Sequence, residues 1–371
     1  MKLHIEEIEI RHVKMRLKSP FQTSFGVEFD RDCVILCVRS EGIEGWGECV
    51  ASTYPGYNYE TAGTAWHILS DFFIPALFGD AISDIQNFRD QIAHYRGHNL
   101  ARAGLEMALW DWLGKARGES LPRMLGGVKE RVPVGVSIGL QENESALLET
   151  VSDYVSQGYQ RVKLKIKPGK DVSVVQPVRD ANPELMIQVD ANSAYSISDV
   201  PIFQAMEGLN LVLIEQPLAE DDIIDHCELQ AQLKTAVCLD ESILCLRHAQ
   251  QAIRLGACRI INIKPGRVGG IDEAVKIHDF CQTEDIPVWC GGMLETNIGR
   301  ASNLGLASLP GFTLPGDISA SDRYYANDIA EPSFCLNEDS TIDVPTGPGL
   351  GIKVDEDALD HFTLRKVTFK A

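Results

Sequence analysis

Six residues of this chain have the type and spacing to do chemistry together: Lys163, Lys165, Asp190, Glu215, Asp240 and Lys264. The three acids each follow a short apolar run and recur at intervals of 25 residues, which fits one strand plus one helix, repeated. In a parallel barrel the C-terminal ends of successive strands meet at one mouth. The spacing therefore predicts three neighbouring carboxylates. Such a cluster repels itself unless a cation holds it, and a donor set of oxygens alone selects Mg²⁺ over Zn²⁺, with Mn²⁺ as a substitute. Mg²⁺ takes about six ligands, which leaves about three positions for water or for the oxygens of a substrate carboxylate. Asn192 and Glu241 are candidates to orient the ligands or lysines from behind.

Lys163 and Lys165 are two apart in a strand and share its face. Lys264 ends the sixth strand of the same series, roughly opposite the second in an eight-membered ring, so a substrate on the metal has a lysine on each side. An unperturbed lysine, with a pKa of about 10.4, is a poor base at neutral pH. Burial, a nearby cation or a second lysine depresses that value, and Lys163 beside Lys165 and Arg267 beside Lys264 are placed to do so. The plainer alternative is that the lysines only pair with the acids. As a set, these residues suit removal of a proton alpha to a carboxylate, the metal stabilising the enediolate and a lysine taking the proton.

The elements that position them form a strand–helix alternation. Strands are expected at Val132–Ile138, Arg161–Ile166, Met186–Val189, Leu211–Ile214, Val237–Leu239, Arg259–Ile263, Pro287–Cys290 and Phe312–Leu314, with helices between them such as Glu144–Gln157 and Ile271–Thr283. Eight strands in regular alternation indicate an α/β barrel more readily than an open sheet. No Gly-x-Gly-x-x-Gly follows a strand and opens a helix, which disfavours a dinucleotide fold. Residues 1–50 read as a strand meander, beginning with the polar–apolar alternation of Met1 to Ile10. The stretch Ser19–Gly26, with Phe21 and Phe25, is too polar and broken for a strand, and Tyr54–Tyr57 is a second aromatic turn. Each is either a surface loop or a lid over a substrate. From about Thr61 the pattern is helical, clearest at Ala101–Ala116 and stopped by Gly118. Ala103, Met107, Trp110 and Gly114 make one tight helix face, suited to a packing seam. The domain reading is 1–127 as an α+β cap with mobile loops, 128–325 as the barrel, and 326–371 as a segment packing back onto the cap.

The 371 residues suffice for a barrel of about 250 residues and a smaller domain. The formal charge of −19 is spread along the chain. That disfavours nucleic acid and anionic membranes, which need clustered Lys and Arg. No signal-peptide core or membrane span is legible. The ten cysteines are scattered with no C-x-x-C pair, so free buried thiols in a reducing cytoplasm are expected.

The pattern Lys163-x-Lys165, Asp190, Glu215, Asp240, Lys264 resembles the muconate-lactonizing-enzyme subgroup of the enolase superfamily. Over essentially the whole chain it is most similar to the o-succinylbenzoate synthase / N-succinylamino acid racemase family. The motifs are Gly45-Trp-Gly-Glu-Cys-Val, Lys264-Pro-Gly-Arg-Val-Gly-Gly, Gly291-Gly-Met-Leu-Glu-Thr-Asn-Ile-Gly-Arg300 and Gly316-Asp-Ile-Ser-Ala-Ser-Asp-Arg323. The resemblance implies a modified TIM barrel, (β/α)7β, under an α+β capping domain. It implies Asp190, Glu215 and Asp240 as Mg²⁺ ligands, Lys165 and Lys264 as opposed acid/base groups, and Lys163 as an assistant to Lys165. Phe21, Phe25, Tyr54, Arg267, Met293 and Ser319 are the candidates to contact substrate. Two activities share such a site: dehydration in menaquinone biosynthesis, and racemisation of N-acylated amino acids. Arg267 is expected to favour racemisation by lowering the pKa of Lys264. A homo-oligomer is expected. Dipeptide epimerases share the lysines and metal, but typically carry Asp-x-Asp where this chain has Asp317-Ile-Ser319. Muconate cycloisomerase is a lesser alternative. A hydrolytic barrel is disfavoured, because the first strand ends Val136-Ser-Ile-Gly without His-x-His.

Overall fold

The computed structural model describes residues 4–79 and 81–371. The part of the N-terminal alternation at 1–3 lies outside the described residues.

A four-stranded antiparallel sheet holds Glu7–Gln22, Val27–Ser40 and Ile43–Cys49, with the C-terminal strand Thr363–Lys370 along the free side of Glu7–Gln22. The run Cys33–Val38 is apolar throughout because both faces of this sheet are covered. Side chains alternate between faces: Cys33, Ile35 and Cys37 join the core shared with the barrel, while Val34, Leu36 and Val38 join a second core with the cap helices. The long cap helix Asn99–Arg117 packs on Ile43–Cys49 and stops at Gly118, whose φ of 67° is a left-handed cap. Strand and helix approach so closely that a Cβ on Gly47 would lie 2.1 Å from the carbonyl oxygen of Gly104. Ser19–Gly26 is more regular than its composition suggests. The first strand continues to Gln22, pairing Phe21 with Glu28, and Thr23 to Gly26 is the hairpin turn, closed by Thr23 N–H donating to Gly26 O at 2.9 Å.

The barrel has seven parallel strands, hydrogen-bonded in chain order: Val136–Ile138, Arg161–Lys165, Met186–Asp190, Leu213–Glu215, Val237–Leu239, Ile260–Ile263 and Val288–Cys290. A helix follows each strand. The first expected strand is shorter than its apolar run, because Arg131–Pro133 is a separate strand paired with Thr341–Asp343. Pro133 has no N–H with which to extend a ladder. The eighth position is filled by Phe312 to Asp317 through single contacts: Phe312 bridges Val288, Gly135 N–H donates to Gly316 O at 2.8 Å, and Asp317 N–H donates to Cys290 O at 2.9 Å. Pro315 interrupts the run and keeps it from forming a regular strand.

Cap and barrel are joined through buried acids at helix starts. Glu48 accepts from Thr296 N, Thr296 Oγ1 (2.7 Å) and Gly299 N (3.0 Å) at the beginning of Asn297–Ala307. Glu106 accepts from Asp272 N (2.8 Å) at the beginning of Ile271–Thr283, and from Arg89. A carboxylate is favourable at a helix N-terminus, where the N–H groups have no partners of their own. All ten cysteines are free thiols and seven are buried. Among the described residues no helix is long and apolar enough to cross a membrane.

Candidate active site

Parallel register places the acids. Lys165 pairs with Asp190, and Asp190 with Glu215, across adjacent strands. Asp240 follows the next strand, one step past Leu239. All three are buried: Asp190 is 1% exposed, Glu215 and Asp240 0%. Among the described residues no three His, Cys, Asp or Glu side chains already converge as a metal set. Each acid is turned onto a cation instead. Lys163 touches Asp190 (3.0 Å), Glu215 (2.8 Å) and Asp317 (2.6 Å). Lys165 donates to Asp190 Oδ2 (2.7 Å) and Asn192 Oδ1 (2.6 Å). Lys264 donates to Asp240 Oδ2 at 2.7 Å, and Arg267 to Asp240 Oδ1.

Electrostatics follow from this pairing. For Asp190, burial opposes ionisation, but Lys163 and Lys165 outweigh it and hold the carboxyl below its ordinary range. Burial and the charge of Asp190 raise Glu215, and the same two causes push Glu241 up to about 7. The expected depression of Lys264 is not what the structure shows. Burial does act to lower Lys163 and Lys264, but Asp190, Asp317 and Glu215 around the first, and Tyr57, Glu215, Glu241 and Asp190 around the second, hold both above the ordinary lysine range. Arg267 is itself lowered by burial. The donor set fits a hard divalent ion: three buried carboxylates at successive strand ends, with Glu215 strained toward protonation by its acidic neighbour.

Lys163, Lys165, Asn192 and Lys264 face one cavity of about 830 Å³, open solvent at its mouth included. Lys165 ends the second strand of the ring and Lys264 directly follows the sixth. Phe21, Phe25, Tyr54 and Met293 line the same cavity, and the cap loops close its outer side. Arg267 and Ser319 lie behind this wall, 0% and 1% exposed, with Arg267 spent on Asp240, Ile243 O and Asn262 O. Glu241 accepts from Asn192 Nδ2 at 3.0 Å, so the two form a strut behind Lys165.

Four further residues complete the site, all but Asn262 without any signal in local spacing. Tyr57 hydroxyl donates to Asp240 Oδ1 at 3.0 Å. Asn262 donates to Glu215 Oε1 at 2.7 Å. Gln216 Oε1 accepts from the backbone of Asp240 (3.0 Å) and Ser242 (3.2 Å), pinning that loop. Asp317 is held down to about 2, burial opposing and Lys163 and Arg161 prevailing. Asn262 could have been found by period, since it lies two before Lys264 on one strand face.

Two family models match the chain: mandelate racemase / muconate lactonizing enzyme, N-terminal domain, over residues 5–126, and enolase C-terminal domain-like over residues 146–358. The chain is 45% identical over 368 residues to an o-succinylbenzoate synthase of Bacillus subtilis (strain 168), covering 99% of each. It is 46% identical over 366 residues to an N-succinylamino acid racemase of Amycolatopsis sp, covering 98% of this chain and 99% of the relative. A solved enolase-superfamily member from Listeria innocua Clip11262 superposes with a TM-score of 0.95 at 41% identity, covering 99% of both chains.

Proposed function

Because this chain is an enzyme of the enolase superfamily, we propose that it removes the proton alpha to a substrate carboxylate, as an o-succinylbenzoate synthase, an N-succinylamino acid racemase, or both. The observation that supports this best is the pair Lys165 and Lys264, two amines from distant strands that face one cavity. In dehydration, Lys165 takes the alpha proton as the C–H bond breaks. The beta C–O bond then breaks, and the hydroxyl leaves with a proton from Lys165 as water, while Lys264 stays protonated beside the anion. In racemisation one lysine takes the alpha proton and the other delivers one to the opposite face. Lys163 holds Asp190, Glu215 and Asp317 together behind Lys165.

Asp190, Glu215 and Asp240 would hold Mg²⁺, or Mn²⁺ in its place, which when bound supplies positive charge to the substrate carboxylate. Phe21, Phe25, Tyr54 and Met293 would contact the substrate and exclude water. Residues 1–127 act as cap, 128–325 as barrel and 326–371 as a segment returning to the cap. The reading places the enzyme in the cytoplasm as a homo-oligomer, its synthase activity serving menaquinone biosynthesis.

Parallel assays with Mg²⁺ test the proposal: formation of succinylbenzoate from the cyclohexadiene carboxylate, and loss of optical rotation from an N-succinyl amino acid. Turnover in at least one is expected. Failure of both, with turnover of a dipeptide or a muconate, would replace this reading with an epimerase or cycloisomerase.

A further inference from the structure

The two lysines facing the cavity are not held alike. Lys165 takes its hydrogen bonds from barrel residues, Asp190 and Asn192, and Asn192 is braced by Glu241. From the cap it meets, among the described residues, the ring of Phe21, whose centroid is 6.0 Å away, and Ser24 Oγ donates to the backbone oxygen of its partner Asn192 at 3.3 Å. Lys264 has one barrel partner, Asp240, and one cap partner, the hydroxyl of Tyr57 at 3.2 Å. The Tyr57 ring also lies under the Lys264 nitrogen, centroid 4.4 Å away. The hydrogen-bond directions agree: the phenol has one proton, given to Asp240 Oδ1 at 3.0 Å, and its oxygen accepts from Lys264 at 3.2 Å and, more distantly, from Arg267 at 3.5 Å.

Tyr57 rides on the turn that begins at Tyr54, and that turn is locked to the other aromatic loop. A Cβ on Gly56 would lie 2.6 Å from the rings of both Phe25 and Tyr54. The turn is also a wall between two hollows, because Tyr57 and Asn58 line the main cavity on one side and a second depression beside Glu220 and Leu244 on the other. Movement of the turn therefore takes the hydroxyl directly away from Lys264, whereas Lys165 keeps both of its barrel hydrogen bonds.

We propose that, of the two lysines, Tyr57 positions Lys264, so that proton transfer on that face of the substrate depends on closure of the cap turn more than transfer on the Lys165 face does. The inference rests on the proposed acid/base roles of the two lysines. It makes racemisation, which uses both faces, sensitive to the turn, and dehydration, which uses Lys165 as base, less so.

The experiment is Tyr57→Phe, which keeps the ring and removes one oxygen. Exchange of the alpha proton is followed by proton NMR in D₂O with saturating Mg²⁺, separately for each enantiomer of an N-succinyl amino acid. Lys165→Ala and Lys264→Ala identify which enantiomer each lysine serves. Tyr57→Phe is expected to slow exchange from the Lys264 enantiomer roughly tenfold, the scale of one lost hydrogen bond to a charged group, and to leave the other within about twofold. An equal fall in both, or no change in either, overturns the proposal.

A second measurement needs no substrate. In competitive acetylation of lysines read by mass spectrometry, Lys264 should become severalfold more reactive in Tyr57→Phe and Lys165 should not change. Unchanged reactivity of Lys264 overturns the positioning role. If the wild type exchanges neither enantiomer, the proposed function falls, and the acetylation result still decides the place of Tyr57.

Discussion

Lys163 touches three carboxylates and Asp240 touches two cations, so the site is a chain of shared charges rather than a set of separate pairs. Removing one member strands another in a buried place. Deleting one partner of a buried pair costs about 3–5 kcal/mol. Arg267→Met leaves Asp240 with Lys264 still in place, so the loss is expected near the lower end, about 3 kcal/mol. It should appear as a lower urea midpoint at unchanged slope, and a loss below about 0.5 kcal/mol would contradict the shared-charge account. The acids and lysines were legible in the sequence because strand register turns a 25-residue spacing into adjacency. Tyr57 was not singled out. Its partner Asp240 is 183 residues away, and nothing local to a Tyr-Pro-Gly-Tyr turn says which tyrosine points inward. The pKa direction of Lys264 runs against its sequence neighbourhood for a related reason: the proximity of Arg267 counts for less than Tyr57 and the three carboxylates Glu215, Glu241 and Asp190 brought in from elsewhere.

Elements were legible where periodicity or a glycine stop sets them. Helix Asn99–Arg117 ends at Gly118, as its sequence implies, and each barrel strand lies within its apolar run or a residue beyond it. Departures come from proline and from pairing at a distance. Pro133 divides one apolar run into two strands, and Ser19 to Gln22 is a strand only because Val27 and Glu28 lie opposite its end. Glycine at the cap seam is a matter of clearance. Gly47→Ala would set a methyl 2.1 Å from Gly104 O and 2.7 Å from Ala108 N. Helix or strand must then shift, at about 1–3 kcal/mol. A thermal melt should fall by several degrees, whereas Gly26→Ala, with nothing within 4 Å of its Cβ, should melt within about a degree of the wild type. Equal melting of the two variants would contradict the close seam.

At the scale of the molecule, the cap is fastened to the barrel by a buried carboxylate that titrates near neutrality. Burial raises Glu48 from an ordinary 4.5 to about 7, against the hydrogen bonds from Thr296 and Gly299. The folded state therefore holds this proton more tightly than the unfolded chain. The stabilising contribution of the protonated form is complete below about pH 4.5 and is lost as pH rises through about 7. Glu48→Gln removes the titration. The stability of the wild type relative to Glu48→Gln should fall by about 3 kcal/mol between pH 4.5 and 8, read from urea midpoints across that range. A difference that does not vary with pH would show that Glu48 is not the titrating fastener. The barrel and its cap were readable as architecture, but this fastening was not, since Glu48 meets its partners across 248 residues.

The central claim is that Lys165 and Lys264 act on opposite faces of one substrate. It is tested most directly by alpha-proton exchange in D₂O, with Mg²⁺ and each enantiomer of an N-succinyl amino acid, for wild type, Lys165→Ala and Lys264→Ala. The wild type should exchange both enantiomers. Each alanine variant should lose racemisation and keep exchange from one enantiomer only, a different one in each. Racemisation surviving in either variant, or the same enantiomer lost in both, would contradict the two-lysine account.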